Sequence, residues 1–189
     1  MARPGSCPLY DTGHDFHAVY EAHVGFVWRS LRRLGAPESS LNDAVQDVFL
    51  VVHRRLPDFA PHAKLTTWLF RICLNTAKDY RRRAHARREV LDEGPLDAMA
   101  DPREDAVLAL ERHEDLRLFE ASLQKLDLDQ RAVFMLFEIE KLTGEEIAEA
   151  LEIPLGTVYS RLRLARKAFS RIVVQQAALR DSVARAGGR

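Results

Sequence analysis

The chain has 189 residues and a mass of 21.5 kDa, which at about 150 residues per domain allows one or two small domains. Its 47% apolar and 30% charged residues describe a globular rather than a disordered chain, and its longest apolar run, the six residues Ala132–Phe137, is too short to cross a bilayer. The net charge of zero hides a segregation: residues 28–88 sum to +8, residues 89–120 to −8 and residues 153–180 to +6.

Residues 1–14, with Pro4, Gly5, Pro8 and Gly13, read as a disordered leader. Met1–Pro8 has no apolar stretch behind Arg3, so no signal peptide is expected. From Asp15 to Leu34, Phe16, Val19, Tyr20, Val24, Val27, Leu31 and Leu34 recur at three and four, predicting an amphipathic helix that Gly35-Ala36-Pro37 ends. Ser40–Asp43 resembles a helix start. The second helix carries Val45, Val48, Phe49, Val52 and Leu56 on one stripe, with Asp43, Gln46, Asp47 and Arg54 off it, until Pro57 stops it. A loop follows to Leu65. Thr66 or Thr67 is expected to cap a third helix ending near Ala86, with Leu65, Leu69, Ile72, Thr76 and Tyr80 inward. Its other face presents Arg71, Asn75, Lys78 and Arg82. Glu89–Asp105, acidic and broken by Gly94, Pro95 and Pro102, is the expected linker. Helical periodicity returns through Val107, Leu110, Leu116, Phe119, Leu123 and Leu126, and continues to about Ala178. No strand alternation or repeat interrupts it, so the expected fold class is all-α, in two small helical domains.

Residues 143–169 read as a helix-turn-helix. Ala148 permits a close helix crossing, Ile147, Leu151, Ile153, Val158 and Leu162 face inward, and Pro154 opens the second helix. Glu152 occupies the turn position usually held by glycine, so positive φ or a distorted turn is expected there. Gly156, Thr157, Ser160, Arg161 and Arg163 point away from the apolar stripe. Small, hydroxyl and arginine residues at the start of a helix suit entry into a major groove and contact with guanine edges. Arg166, Lys167 and Arg171 lie further along and suit phosphates. The same residues also fit a solvated basic face.

The text Glu-Glu-Ile-Ala-Glu-Ala-Leu-Glu-Ile-Pro-Leu-Gly-Thr-Val-Tyr-Ser-Arg-Leu, ending at Leu162, resembles region 4 of bacterial sigma factors of the extracytoplasmic-function group. Upstream, Asp43-Ala-Val-Gln46-Asp47-Val-Phe49 resembles their region 2.2, and the run from Thr67 through Trp68, Arg71, Asn75 and Asp79 to Arg82 resembles regions 2.3 and 2.4. The resemblance covers about residues 15–84 and 120–172, in order. It implies region 2 over 15–88, a linker over 89–105, region 4 over 106–174 and a short tail over 175–189.

What the resemblance implies for function is equally specific. Asp43, Gln46, Asp47 and Phe49 are expected to contact the clamp coiled coil of core RNA polymerase, although the acids also fit a solvated face and Phe49 a packing role. Region 4 is expected at the polymerase flap. The loop Asp58–Lys64 matches the loop that captures a flipped base of the −10 element. Phe59, Lys64, Trp68, Arg71 and Asn75 supply the wall and positive surface such a pocket needs, with core packing as the alternative for Trp68. Lys78 and Arg82 are further candidates for binding the −10 element, and Arg81, Arg82, Arg83, Arg87 and Arg88 are expected to hold phosphates. For the −35 duplex the candidates are Gly156, Thr157, Tyr159, Ser160, Arg161, Arg163, Arg166 and Lys167. Tyr159 stands where the family often has lysine and Leu164 where it has a basic residue. Promoter DNA and core polymerase are the expected partners, with an inhibitory anti-sigma factor between the domains as the family usually has.

No enzymatic constellation is present in the sequence. His14 and His17 have HxxH spacing but lack a third ligand, and glycine-rich phosphate loops and HExxH are absent. Cys7 and Cys73 form no CxxC, so no disulfide scaffold, metal or cofactor is expected, and a reducing cytoplasm is the expected setting. Neither a membrane nor a small-molecule substrate is expected as a partner. The other reading left open is an autonomous helix-turn-helix regulator that binds duplex DNA as a dimer. The basic, aromatic third helix is a feature such a protein does not need. The acidic linker is expected to stay off DNA or to fold over the basic faces.

Overall fold

The structure, a computed structural model, describes residues 15–59, 64–91, 116 and 118–187, with side chains described to 86 in the third helix and to 175 in the last. The expected leader, loop residues 60–63 and the linker from residue 92 lie outside the described residues. Every regular element among the described residues is helical. The chain divides into two compact units, Met1–Glu93 and Gly94–Arg189.

The first unit is built from α1 (Phe16–Leu34), α2 (Leu41–Arg55) and α3 (Leu65–Leu91), each packed on the other two. Asp15 caps α1 by accepting from the His17 N–H at 3.1 Å. Gly35, at φ 86°, closes it, with the Ala36 N–H reaching the Leu31 carbonyl at 3.0 Å. Ser40 precedes α2 but makes no side-chain cap; a 3₁₀ turn, Glu38–Ser40, leads the chain in instead. Neither Thr66 nor Thr67 caps α3. Both lie inside its first turn, where the Lys64 carbonyl accepts from the Thr67 N–H at 3.0 Å. The helix also runs past Ala86 to Leu91, because arginine and alanine favour it and no glycine or proline occurs before Gly94.

Val27, Leu31, Leu34, Ala44, Val48, Val52, Leu69, Cys73 and Ala77 are fully buried and form this core. On α3 the buried arc is wider than the expected stripe: Phe70, Cys73, Leu74 and Ala77 join Leu69 and Ile72, while Leu65, Thr76 and Tyr80 are half-buried. A helix touching two neighbours must bury two adjoining stripes. Burial drives the Cys73 thiol well above its ordinary range, which makes it an inert packing group.

Tyr80 straps α3 to α2 by donating to the Asp47 carboxylate at 2.8 Å. Partial burial, followed by that hydrogen bond and the negative charge of Asp47, pushes the phenol up to about 12.

The second unit contains a helical segment over 118–124 (α4), α5 (Leu128–Phe134), α6 (Gly144–Leu151) and α7 (Leu155–Gly187). A π-helical stretch, Met135–Ile139, continues α5. The apolar run Ala132–Phe137 supplies its buried face through Ala132, Val133, Phe134, Met135 and Leu136. Phe169 of α7 stacks near Phe119 and Phe134 at centroid distances of 5.5 and 5.0 Å. Arg131 is fully buried, yet its guanidinium donates to the Gln124 carbonyl at 2.6 Å and the Leu126 carbonyl at 2.9 Å, satisfying the end of α4. Thr143 and Glu146 form a reciprocal capping box on α6. Helix α7 passes the expected end near Ala178, since no glycine or proline follows Gly156 until Gly187.

Glu152 closes α6 at φ 53° and ψ 45°, with the Ile153 N–H bonded to the Ala148 carbonyl at 3.0 Å. The turn is therefore undistorted and the side chain bears the left-handed strain.

Two outcomes follow from these contacts. Glu152→Gly should stabilise the protein by about 0.5–1 kcal/mol in urea denaturation, less than the full ~1–2 kcal/mol cost of a left-handed residue because glycine also loosens the unfolded chain. Tyr80→Phe should cost about 1 kcal/mol at neutral pH, the worth of one hydrogen bond. The raised phenol pKa means that Tyr80 contributes fully below pH 10 and loses its contribution as pH rises through about 12. Thermal melts from pH 9 to 12 should therefore fall less steeply for Tyr80→Phe than for the parent chain.

Candidate nucleic-acid interface

On α3, Trp68, Arg71, Asn75, Lys78 and Arg82 follow at spacings of three and four, which places them on one face. That face lies away from the buried Leu69, Cys73 and Ala77. Asn75, Lys78 and Arg82 are exposed, whereas Trp68 and Arg71 are half-buried. Arg82 pairs with Asp79 at 2.9 Å, an exposed contact that water and salt largely screen. The Phe59 ring, just beyond α2, sits 5.1 Å from Trp68 at an interplanar angle of 49°. Trp68 is half-buried against Phe59, while Leu69 and Phe70 next to it are buried in the core, and the exposed Asn75 lies about two turns further along the same face. Lys64 is exposed at the entry to α3.

The α2 candidates divide. Asp43 and Gln46 are exposed. Asp47 is half-buried and turned toward α3 by Tyr80. Phe49 is only 4% exposed, its ring 4.7 Å from Tyr20 and 6.4 Å from Phe16. Of the two roles the sequence allows Phe49, packing accounts for most of its surface. Its remaining edge lies with Gln46 in a groove of about 770 Å³ between α1 and α2, walled by Tyr20, Trp28 and Leu50.

In the second unit, α7 turns Val158, Leu162, Ala165 and Ile172 inward and Gly156, Tyr159, Ser160, Arg163 and Lys167 outward. Pro154 immediately precedes the helix, its carbonyl accepting from the Thr157 and Val158 N–H groups at 2.8 and 3.2 Å. A Cβ at Gly156 would meet nothing within 4 Å, so the backbone is open to close approach there. Thr157 is half-buried and its carbonyl accepts from the Ser160 hydroxyl at 3.0 Å. Tyr159, 49% exposed, leans back over Gly144; a Cβ at Gly144 would lie 2.7 Å from its hydroxyl oxygen.

Two of the expected DNA-contacting cations are held within their own unit. Arg161 donates to Asp129 of α5 at 2.8 Å, and both side chains are about one-third exposed. Arg166 binds Glu138 at 2.6 Å and lies 5.0 Å over the Phe137 ring. Asp129 and Glu138 are the residues that sequence reasoning missed. Their partners lie 32 and 28 positions away, and no local periodicity reports a pairing at that range. Arg163 and Lys167 are exposed on the outward face.

No group of three His, Cys, Asp or Glu side chains suited to a metal occurs among the described residues, and no helix there is long and apolar enough to cross a membrane.

Comparison with known proteins identifies the two units. Residues 19–88 match the Sigma-70 region 2 family and residues 116–169 match the Sigma-70 region 4 family. The chain is 32% identical over 139 residues to the ECF RNA polymerase sigma-E factor of Escherichia coli (strain K12), covering 70% of this chain and 73% of the relative. The Haemophilus influenzae protein of the same name is 32% identical over 140 residues, covering 68% and 72%. Among solved structures, Bartonella quintana sigma factor RpoE, in complex with the anti-sigma factor NepR, matches with a TM-score of 0.66 at 23% identity over 84% of this chain and 96% of that one. CnrH, in complex with the cytosolic domain of CnrY, matches with a TM-score of 0.57 at 29% identity over 85% and 88%. Two matched regions in the family's order, on the two helical units just described, place the chain in the extracytoplasmic-function group of the sigma-70 family, the promoter-specificity subunits of bacterial RNA polymerase.

Proposed function

We propose a division of labour among the surfaces of this sigma factor. The exposed edge of α2, through Asp43 and Gln46, docks on the clamp coiled coil of core polymerase, with the Gln46–Phe49 edge of the apolar groove beside it. Asp47 keeps its strut to Tyr80 and adds negative charge behind that surface. The α3 face binds the −10 element: Phe59 and Trp68 form the stacking wall for an unpaired base, Asn75 offers the hydrogen-bonding edge, and Lys64, Arg71, Lys78 and Arg82 draw in the separated strand. Helix α7 enters the −35 major groove with Gly156, Ser160 and Arg163 nearest the bases and Lys167 on phosphate. Arg161 and Arg166 set the pose of α7 through Asp129 and Glu138 rather than reading bases.

The observation that carries this reading is the outer face of α3, because a duplex-only DNA binder has no use for a half-buried aromatic pair in line with an exposed amide and a row of cations. The protein acts as a binding subunit without chemistry of its own, in the cytoplasm where core polymerase works. An anti-sigma partner is proposed by analogy with the complexes of RpoE and CnrH.

In vitro transcription with core polymerase on a genomic fragment library, with transcript starts sequenced, tests the reading. Starts that depend on the protein and share two upstream elements support it. Duplex binding by the protein alone, with no new starts, would transfer the assignment to an autonomous regulator. Trp68→Ala should lower transcription from duplex promoters about tenfold, in line with ~1–3 kcal/mol per stacked base, and much less from templates already open at the −10 element. Lys167→Ala should weaken promoter binding evenly across sequences and reduce its salt slope by about one phosphate contact. Arg163→Ala should instead relax sequence preference in the −35 element.

A further inference from the structure

Leu155 and Tyr159, two of the exposed large apolar residues of α7, have an explanation within their own unit, since both side chains close over Gly144. Leu164 does not share it. The side chain is 43% exposed, and the residues four before, three after and seven after it are Ser160, Lys167 and Arg171, all exposed. These positions share one helical face, opposite the buried stripe of Val158, Leu162, Ala165 and Ile172. A leucine is thus set in a row of hydroxyl and cationic groups, about 6 Å along the axis from Ser160.

A single exposed leucine on a face that meets only water requires no account. Under the reading above, on which this inference rests, the face meets the floor of a major groove. The base edges there offer donors, acceptors and one apolar group, the C5-methyl of thymine. Leucine has neither donor nor acceptor, so it cannot match the polar edges of guanine, adenine or cytosine. It can only exclude water from a methyl.

We propose that Leu164 reads a thymine methyl group in the −35 duplex, which makes it a specificity-determining residue for promoter choice. A cation at this position would favour guanine; leucine moves the preferred element toward thymine at one base pair.

Randomised duplexes are first selected with holoenzyme assembled from the full chain and core RNA polymerase. The winning duplex is then remade with uracil replacing each thymine of its upstream element in turn, which removes only the methyl. One replacement should weaken binding by the parent holoenzyme roughly three- to tenfold, on the order of one apolar base contact. Leu164→Ala should bind the thymine and uracil versions equally. Leu164→Arg should shift the selected base at that position toward guanine, whose O6 and N7 accept from a guanidinium. If every uracil replacement is tolerated by the parent, Leu164 is only a solvated leucine and the inference is overturned. It is equally overturned if Leu164→Ala retains the full sensitivity, because another residue then holds the methyl. In both cases promoter selection itself survives. Failure of the holoenzyme to select any upstream element would overturn the sigma reading together with the inference.

Discussion

A helix can hide only part of its circumference, and in a unit of three or four short helices that hidden part is the whole core. α1, α2 and α3 show the consequence. Once Val27, Leu31, Val48, Val52, Leu69 and Cys73 are buried against one another, the outer face of each helix is left to the solvent. The fold and the interaction surfaces are therefore complementary parts of the same helices, fixed by a single choice of register. Rotating α3 by one residue would take Asn75 from the outside toward the core and expose Leu69. That is why a cationic, aromatic face can be held rigidly by so small a core.

Electrostatics refines what packing leaves exposed. Residues 153–180 carry six cations and no acid, so a purely local view makes every arginine of α7 available to DNA. The folded unit brings Asp129 and Glu138 against two of them. Pairing leaves those arginines with less charge to offer phosphate, and it also fixes the rotation of α7 about its axis. Arg163 and Lys167 stay exposed on the outward face, and under the proposed reading they are the cations presented to DNA in a defined register. On the same proposal, paired cations on the flanks and unobstructed ones at the centre narrow the basic surface offered to DNA.

Much of this was readable from residue order because it depends on short-range rules. The periods of α1 and α2, the stop at Gly35, the outward face of α3 and the strained turn at Glu152 are all decided within about ten residues of chain. The extent of α3 and α7 was misjudged because propensity carries a helix onward until a breaker appears, and none appears before Gly94 or Gly187. The exposed Asp43 and Gln46 were foreseeable as off-stripe residues. The inward turn of Asp47 and the burial of Phe49 depend on partners from other helices, Tyr80 on α3 and Phe16 and Tyr20 on α1. Long-range pairing is what the sequence, taken alone, does not display.

The Tyr80–Asp47 strap adds a directional bond to the apolar packing between α2 and α3. Asp47 lies one residue from Gln46 on the proposed polymerase face, and Tyr80 lies between Lys78 and Arg82 on the helix that carries the −10 candidates. The close-packed apolar core already resists sliding of one helix along another. A 2.8 Å hydrogen bond to a carboxylate adds a directional constraint at one point, because its energy falls steeply with distance and angle. Under the proposed division of labour, fixing α2 to α3 at this point holds the proposed polymerase surface and the proposed −10 surface at one spacing. On that proposal a promoter-melting subunit keeps the spacing constant while the DNA changes shape, and a directional bond between half-buried groups reinforces the core that holds both faces.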